Sequence, residues 1–503
     1  MTPLRAVAVL LWALVAGLAA SPSPAALAQG ADAPGPEPSA SATTPPSRPD
    51  IIVVYIDDVA PLDGRLFSAE RTPNIRRWII DRGLTFEHAI DEAPLCCPAR
   101  ANLLTGLHTH NNGVIRNDAA LLDPSETIAT ELHGVGYHTA WIGKYLNRYV
   151  SMRGPARLAH EASWDTFQPM SGGSHGYYYW PKGASRSSRP TIHSMRLVQR
   201  LAMDELRAAP VDQPLFAVLS TYAGHTPNQP MPEFRGSRRC AGIARWKPPN
   251  YGVGAATDKP DWMRRWAARH TDRVPPRGVD LTKVCEDMLG VDQLVGLVAQ
   301  EQAARGRLDD TLLVLASDNG FLFGEFGLYG KHVPWAVPVV LSMAWPSGMG
   351  TVARTTPYPT SNIDLAPTFC DIAGCEMGPY PSGQDTADGV SVLPVLLGDP
   401  APPRTALLTA MLAGNPITGM PSWSAVTTYE GDPLGRWHYI RWDTGRKELY
   451  DLSNDPWELH DVSADPALTP VRQALERRRR ALRAEGVPST PAPSPGPAGT
   501  PPA

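Results

Sequence analysis

Three stretches of this chain are unbroken runs of β-branched and aliphatic residues that stop abruptly in polar ones. Ile51-Ile52-Val53-Val54-Tyr55-Ile56 ends in Asp57-Asp58, and Leu312-Leu313-Val314-Leu315-Ala316 ends in Ser317-Asp318-Asn319-Gly320. Leu215-Phe216-Ala217-Val218-Leu219 ends in Ser220-Thr221-Tyr222-Ala223-Gly224-His225. A strand with one face in water alternates apolar and polar residues, whereas a continuous apolar run fits a strand buried on both faces of a parallel sheet. Helix-like segments lie between the runs, at Thr72–Arg82, Ala99–Thr105, Ser125–Val135, Ile192–Ala208 and Lys283–Arg305. Strands alternating with helices predict an α/β fold, a large mixed, mostly parallel sheet sandwiched by helices. In open α/β sheets ligands bind beyond the carboxyl ends of the strands. Asp57, Asp58, Asp318, Asn319 and His225 are therefore expected to converge. The alternative for any one strand is that Asp, Asn and Gly are turn residues.

From about Pro402 the pattern changes. Trp423–Tyr429, Trp437–Trp442 and Glu448–Leu452 read as short aromatic-rich strands separated by turns, and Pro470–Glu485 reads as a charged helix. This predicts a small C-terminal antiparallel sheet plus helix subdomain. The Arg477–Arg480 run reads as a solvated helix face that complements the helix dipole, the alternative being an anion patch. The expected organisation is a signal peptide over 1–28, a Pro-rich spacer over 29–49, a catalytic α/β domain over 50–400, the α+β subdomain over 401–486 and a Pro-rich tail over 487–503. Many of the 53 prolines lie in the two ends, where they read as disordered spacers.

The signal reading rests on one Arg before an apolar run, Ala6–Ala20, followed by Ala26-Leu27-Ala28 as a small-x-small cleavage site. The run is shorter than the ~20 residues a membrane span needs, and no other stretch is long enough. The alternative is an uncleaved N-terminal anchor. Secretion, with no stable membrane insertion after cleavage, is the expectation. A net charge of −4, from 46 basic and 50 acidic residues, gives no reason to expect a nucleic-acid partner. Export permits disulfides. Cys370 and Cys375 can close a small loop, and Cys240 and Cys285 then pair by elimination, the alternative being buried free thiols throughout.

Asp57, Asp58, Asp318 and Asn319 are hard oxygen ligands, suited to Ca²⁺ or Mg²⁺. The most informative segment is Leu95-Cys96-Cys97-Pro98-Ala99-Arg100-Ala101-Asn102-Leu103-Leu104-Thr105-Gly106. It sets a cysteine just before Pro98, at the expected start of a helix, with Arg100 on the first turn. A nucleophile there sits in the positive field of a helix N-terminus, to which Arg100 adds a fixed charge. The bland alternative is a buried Cys pair beside a helix cap.

Cys96-Cys97-Pro98-Ala99-Arg100 followed by Leu104-Thr105-Gly106 resembles the signature of the type I sulfatases, Cys-x-Pro-x-Arg with a downstream Leu-Thr-Gly. Val53–Asp58 resembles the family's first metal strand, and Thr72-Pro73-Asn74-Ile75 its next segment. Gly143-Lys144-Tyr145-Leu146-Asn147 resembles a lysine motif of glucosamine-6-sulfatase-like members. Gly224-His225-Thr226-Pro227 resembles the histidine motif. Ser317–Gly320 with Gly327–Lys331 resembles the second metal strand and sulfate lysine, and Glu448–Leu452 with Asp455–Glu458 the small C-terminal sheet.

The resemblance implies an alkaline phosphatase-like fold and an exported sulfuric ester hydrolase acting on a sulfated sugar, a polysaccharide or an aryl sulfate. It implies that Cys96 is converted to formylglycine by a formylglycine-generating enzyme, and that one Ca²⁺, or Mg²⁺, is held by Asp57, Asp58, Asp318, Asn319 and modified Cys96. One hydroxyl of the aldehyde's geminal diol attacks sulfur. Arg100 and Lys144 orient the diol, Lys331 binds the sulfate and His225 serves the leaving oxygen. Loss of a proton from the second hydroxyl then releases sulfate.

Two positions depart from the family pattern. Ala99 stands where Ser is usual, and Leu146 where many members have a histidine base. His110, in Leu107–Gly113, is a candidate for that base, the alternative being a loop or core histidine. Tyr177-Tyr178-Tyr179-Trp180 reads equally as a sugar-stacking or a packed loop. Two other functions remain open. One is a phosphonate or phosphate ester hydrolase of the same superfamily. The other is a non-catalytic anion- or glycan-binding protein, should Cys96 stay a thiol.

Overall fold

The computed structural model describes residues 48–253, 259–269, 271–415 and 418–484. The expected signal peptide, nearly all of the spacer and the C-terminal tail lie outside the described residues.

The architecture is built around a nine-stranded sheet. Its centre is β1 (Asp50–Ile56), flanked by Leu215–Ser220 and Thr311–Ser317, both parallel to it. His138–Lys144 continues the parallel set beside Leu215–Ser220, and Thr166–Ser171 beside that. Antiparallel strands give the mixed character: Leu341–Ala344 runs against Thr311–Ser317, and Tyr178–Tyr179 against Thr166–Ser171.

The lack of alternation in β1 has a direct structural reason. Ile52, Val54 and Ile56 belong to the core on one face of the sheet, and Ile51, Val53 and Tyr55 to the core on the other. Both faces are covered, so both sets are apolar. Each buried aliphatic side chain contributes about 1.5–3 kcal/mol of transfer free energy, which holds the strand at the centre. Helices Ser194–Ala208 and Thr282–Ala304 cover the first face; Cys96–Thr105, Ile128–Gly134 and Leu365–Ala373 cover the second.

Several sequence expectations need correction. Thr72–Arg82 is an α-helix over Pro73–Trp78 and a 3₁₀ turn over Ile80–Arg82. The helix expected over Ala99–Thr105 begins at Cys96, so Pro98 stands third in it and Cys96 first. Ser125–Val135 shortens to Ile128–Gly134.

The C-terminal sheet has four antiparallel strands. Trp423–Thr428, Trp437–Trp442 and Lys447–Asp451 match the expected ones, and Ala406–Met411 is an additional strand. Helix Thr469–Ala484 packs on this sheet through Leu475. The arginine run is not simply a solvated face. Arg479 is buried and donates to Ser424 Oγ at 2.7 Å, while Arg478 pairs with Asp432, so both pin the helix to the sheet.

Both expected cysteine pairs are formed, Cys240–Cys285 and Cys370–Cys375, leaving Cys96 and Cys97 as buried thiols. No helix among the described residues is long and apolar enough to cross a membrane.

Candidate active site

The carboxyl ends of four adjacent parallel strands meet in one place. β1 delivers Asp57 and Asp58, Thr311–Ser317 delivers Asp318 and Asn319, His138–Lys144 ends on Lys144, and Leu215–Ser220 leads through a short loop to His225. Successive residues of an extended strand point to opposite faces. Asp58 escapes that rule because its φ is +59°, a left-handed conformation that Asp tolerates better than most residues. Gly224 (φ +100°) lets the histidine loop lie against the end of β1, since a Cβ there would stand 2.2 Å from the Asp57 carbonyl oxygen.

Cys96 enters from the N-terminus of its helix. One ligand atom each from Asp57, Asp58, Cys96 and His225 lies within 4.8 Å of all the others. Lys144 Nζ donates to Asp57 Oδ2 at 2.5 Å. Lys331 Nζ donates to Cys96 Sγ at 3.0 Å, to Asn319 Oδ1 at 3.3 Å and to Asp58 Oδ1. Asn319 Nδ2 donates to Asp58 Oδ1 at 2.6 Å. Asp318 Oδ1 accepts the backbone N–H groups of Asp58 (3.1 Å) and Asn319 (2.7 Å), which ties the end of β1 to the end of Thr311–Ser317. Its Oδ2 accepts from Arg100 Nε at 3.0 Å.

Arg100 is wholly buried and rigidly held. Its Nη1 donates to the Lys144 carbonyl at 2.9 Å and to Ser220 Oγ at 2.7 Å, and its guanidinium lies 5.0 Å from the centre of the Tyr55 ring. Ser220 and Tyr55 were not singled out in the sequence. Both stand at strand ends, where the same rule that found Asp57 and Asp318 would have found them. Asp91 was also missed. It is wholly buried, and burial with the nearby Asp318 and Glu92 pushes its carboxyl well up. No sequence signal marks it.

The charges set the proton states. Burial would raise Asp57 and Asp58, but Lys144 and His225 beside the first, and Lys331 and His225 beside the second, hold both below the usual range. Burial likewise opposes ionisation of Cys96, yet Lys144 and Lys331 bring its thiol below the ordinary value. Its neighbour behaves oppositely. Burial pushes Cys97 up to about 12, and Cys97 Sγ accepts the Asn147 backbone N–H at 3.0 Å. His225 is pushed down by burial, but Asp57, the Cys96 contact and Asp58 raise it to about 9. His225 Nδ1 faces the Thr226 carbonyl at 2.6 Å, which turns Nε2 toward Asp58, 3.8 Å away.

All the proposed catalytic and metal residues therefore cluster: Cys96, Arg100, Lys144, His225 and Lys331, with Asp57, Asp58, Asp318 and Asn319. Three other candidates are placed elsewhere or otherwise. Leu146 is buried in the core. The His110 ring stacks on His108, with centroids 5.2 Å apart. Most of the Tyr177–Trp180 run is packed: Tyr177 and Trp180 are buried, Tyr179 bonds to Gln168, and only Tyr178 is exposed.

The donor set suits a hard dication. The buried Asp57 Oδ1 has no hydrogen-bond partner, and the oxygens of Asp58 and Asn319 converge on a cation, Lys331. Three carboxylates gathered in one buried site repel one another unless positive charge intervenes.

Residues 49–375 match the family model described as Sulfatase, and 324–485 match that described as N-sulphoglucosamine sulphohydrolase, C-terminal. The chain is 29% identical over 376 residues to an extracellular sulfatase SULF-1 homolog of Drosophila melanogaster, covering 70% of this chain and 31% of that protein. It is 28% identical over 372 residues to the N-acetylglucosamine-6-sulfatase of Capra hircus, covering 70% of this chain and 64% of that one. The chain thus spans less than two thirds of either relative. A solved structure of a protein in complex with its substrate D-glucosamine-2-N,6-O-disulfate superposes with a TM-score of 0.69 at 21% identity, over 88% of this chain and all of that one. That likeness concerns the fold.

Proposed function

The chain belongs to the sulfatase family, and from that premise we propose that it is an extracytoplasmic sulfuric ester hydrolase acting on a sulfated sugar or polysaccharide. Aryl sulfates would serve as model substrates. The observation that carries this is the placement of Cys96 at the first position of its helix, with Lys331 Nζ 3.0 Å from its sulfur and Asp57, Asp58 and His225 around it. Nucleophile, anion-neutralising cations, hard oxygen donors and a proton donor converge at one buried point, which is what hydrolysis of a charged ester demands. The sugar preference is supported by the relative named N-acetylglucosamine-6-sulfatase, and the extracytoplasmic location by the one named extracellular sulfatase.

Asp57, Asp58, Asp318 and Asn319 would hold Ca²⁺, with an oxygen of modified Cys96. Such an ion supplies Lewis-acid offset of the charge on the sulfur oxygens. Formylglycine made from Cys96 supplies the attacking oxygen. Arg100, clamped by Asp318, Ser220 and the Lys144 carbonyl, orients that residue without side-chain freedom of its own. Lys144 and Lys331 bind and neutralise the anion. As the S–O bond to the alcohol breaks, His225 gives its Nε2 proton to the leaving oxygen; its Nδ1 contact with Thr226 keeps Nε2 aimed at the site.

A paired panel tests this reading: kcat/KM for matched sulfate, phosphate and phosphonate esters. A clear preference for sulfate supports it. A preference for phosphate or phosphonate assigns the sister hydrolase activity, and absence of turnover on all three assigns a binding protein.

A further inference from the structure

Trp180, the last residue of the Tyr177–Trp180 run, lines a surface cleft. Trp180 is buried, and two guanidiniums stack on its ring, Arg157 at 4.5 Å and Arg153 at 5.4 Å from the centroid. With Arg186, Ser185 and Ser187 they line a cleft of about 350 Å³. No carboxylate lines it among the described residues. Arg157 is neutralised by Glu161. Arg153 spends its Nη1 on two backbone carbonyls, Val150 (3.0 Å) and Met152 (2.8 Å), which orient it and leave its charge uncompensated. Arg186 makes no ion pair among the described residues. In a chain of net charge −4, this is a concentrated positive cleft with hydroxyl donors.

Its position ties it to the active site. Lys144, at the catalytic end of its strand, pairs in register with Met170, and Met170 pairs with Tyr179, next to Trp180. Neighbouring strands lie about 4.8 Å apart, so the backbone at Tyr179, one residue before Trp180, stands about 10 Å from that of Lys144 across the sheet.

We propose that this cleft binds a second sulfate or carboxylate group of a polyanionic glycan whose reacting sulfate ester lies at Cys96. The inference rests on the hydrolase reading and narrows its substrate to a multiply charged polysaccharide. Guanidinium forks match the planar or tetrahedral oxygens of such groups, and Trp180 serves as the floor that aims them. The buried indole is not a sugar platform. It is a guanidinium support.

The test is binding of the full chain to immobilised heparin, with unsulfated dextran as control, beside turnover of a small aryl sulfate. Arg153→Ala/Arg186→Ala and, separately, Arg186→Glu alter exposed side chains outside the catalytic cluster. The expected result is heparin binding about tenfold weaker in both variants, with a shallower salt dependence and unchanged aryl sulfate turnover. Heparin binding equal to the wild type overturns the proposal, as does a parallel loss of aryl sulfate turnover. Absent aryl sulfate turnover in the wild type, with heparin binding still sensitive to the variants, overturns the hydrolase reading and leaves the anion cleft standing.

Discussion

Lys331 Nζ stands 3.0 Å from Cys96 Sγ, and the same ammonium reaches Asp58 and Asn319. One cation thus bridges Cys96 and the side-chain oxygens of Asp58 and Asn319, which come from chain segments far apart in sequence. The relationship is the ground for proposing Cys96, rather than Cys97, as the reactive residue of the pair. Cys96 lies in the field of Lys144 and Lys331, whereas Cys97 turns away to accept the Asn147 N–H.

Cys96→Ala is therefore expected to lower kcat by about 10³-fold or more, because no other group on the chain can take the nucleophile's place. Cys97→Ser, which keeps an acceptor for Asn147, is expected to stay within about tenfold of the wild type. Steady-state kinetics on an aryl sulfate measures both.

His225→Ala should cost most where the leaving alcohol is a poor one. Its proton matters for alkyl and sugar esters and little for acidic phenols, so the loss is expected to shrink from about 10³-fold toward tenfold as the leaving-group pKa falls. A leaving-group series measures the slope. Equal losses across the series would place His225 in substrate binding instead.

Arg100→Met leaves Asp318 buried with its main cation removed. The expected destabilisation is about 3–5 kcal/mol, read by urea denaturation. Arg100→Met with Asp318→Asn together should recover part of it, because the double change removes the unpaired charge.

Chelation with EGTA should lower both turnover and Tm, and Ca²⁺ should restore both. Ligand present at a hundredfold excess over its Kd adds about 2.7 kcal/mol to stability. Asp57→Asn should blunt the Tm response to Ca²⁺, since the unpartnered Asp57 Oδ1 is among the oxygens available to the ion.

Glu92 provides a pH signature independent of turnover. It is wholly buried, and burial pushes its carboxyl up to about 7, against the hydrogen bonds from Thr109 and Asn102. The folded state therefore holds this proton more tightly than the unfolded chain. Its contribution to stability is full below the unfolded value of about 4.5 and is lost as the pH rises through about 7. Glu92→Gln, neutral throughout, should flatten the Tm-against-pH curve over that window.

Much of the fold and site was legible because the signals were local. The apolar runs of β1, Leu215–Ser220 and Thr311–Ser317 announced buried parallel strands, and their polar ends announced the site. The misreadings arose where tertiary packing overrides local pattern. Pro98 suggested a helix start, yet the helix begins at Cys96, directly after the extended backbone of Leu95. Arg478 and Arg479 resembled a solvated face until Asp432 and Ser424 were placed opposite them. Ala406–Met411 lacks the aromatic residues that marked its neighbours, and Asp91 owes its interest to what surrounds it.

The most direct test of the central claim is the mass of the tryptic peptide containing Cys96, taken from protein made in its native host. Conversion of the thiol to the aldehyde lowers the mass by about 18 units. The account predicts that shift on Cys96 and an unmodified Cys97. A quantitative free thiol at Cys96, or the shift carried by Cys97 instead, would contradict it.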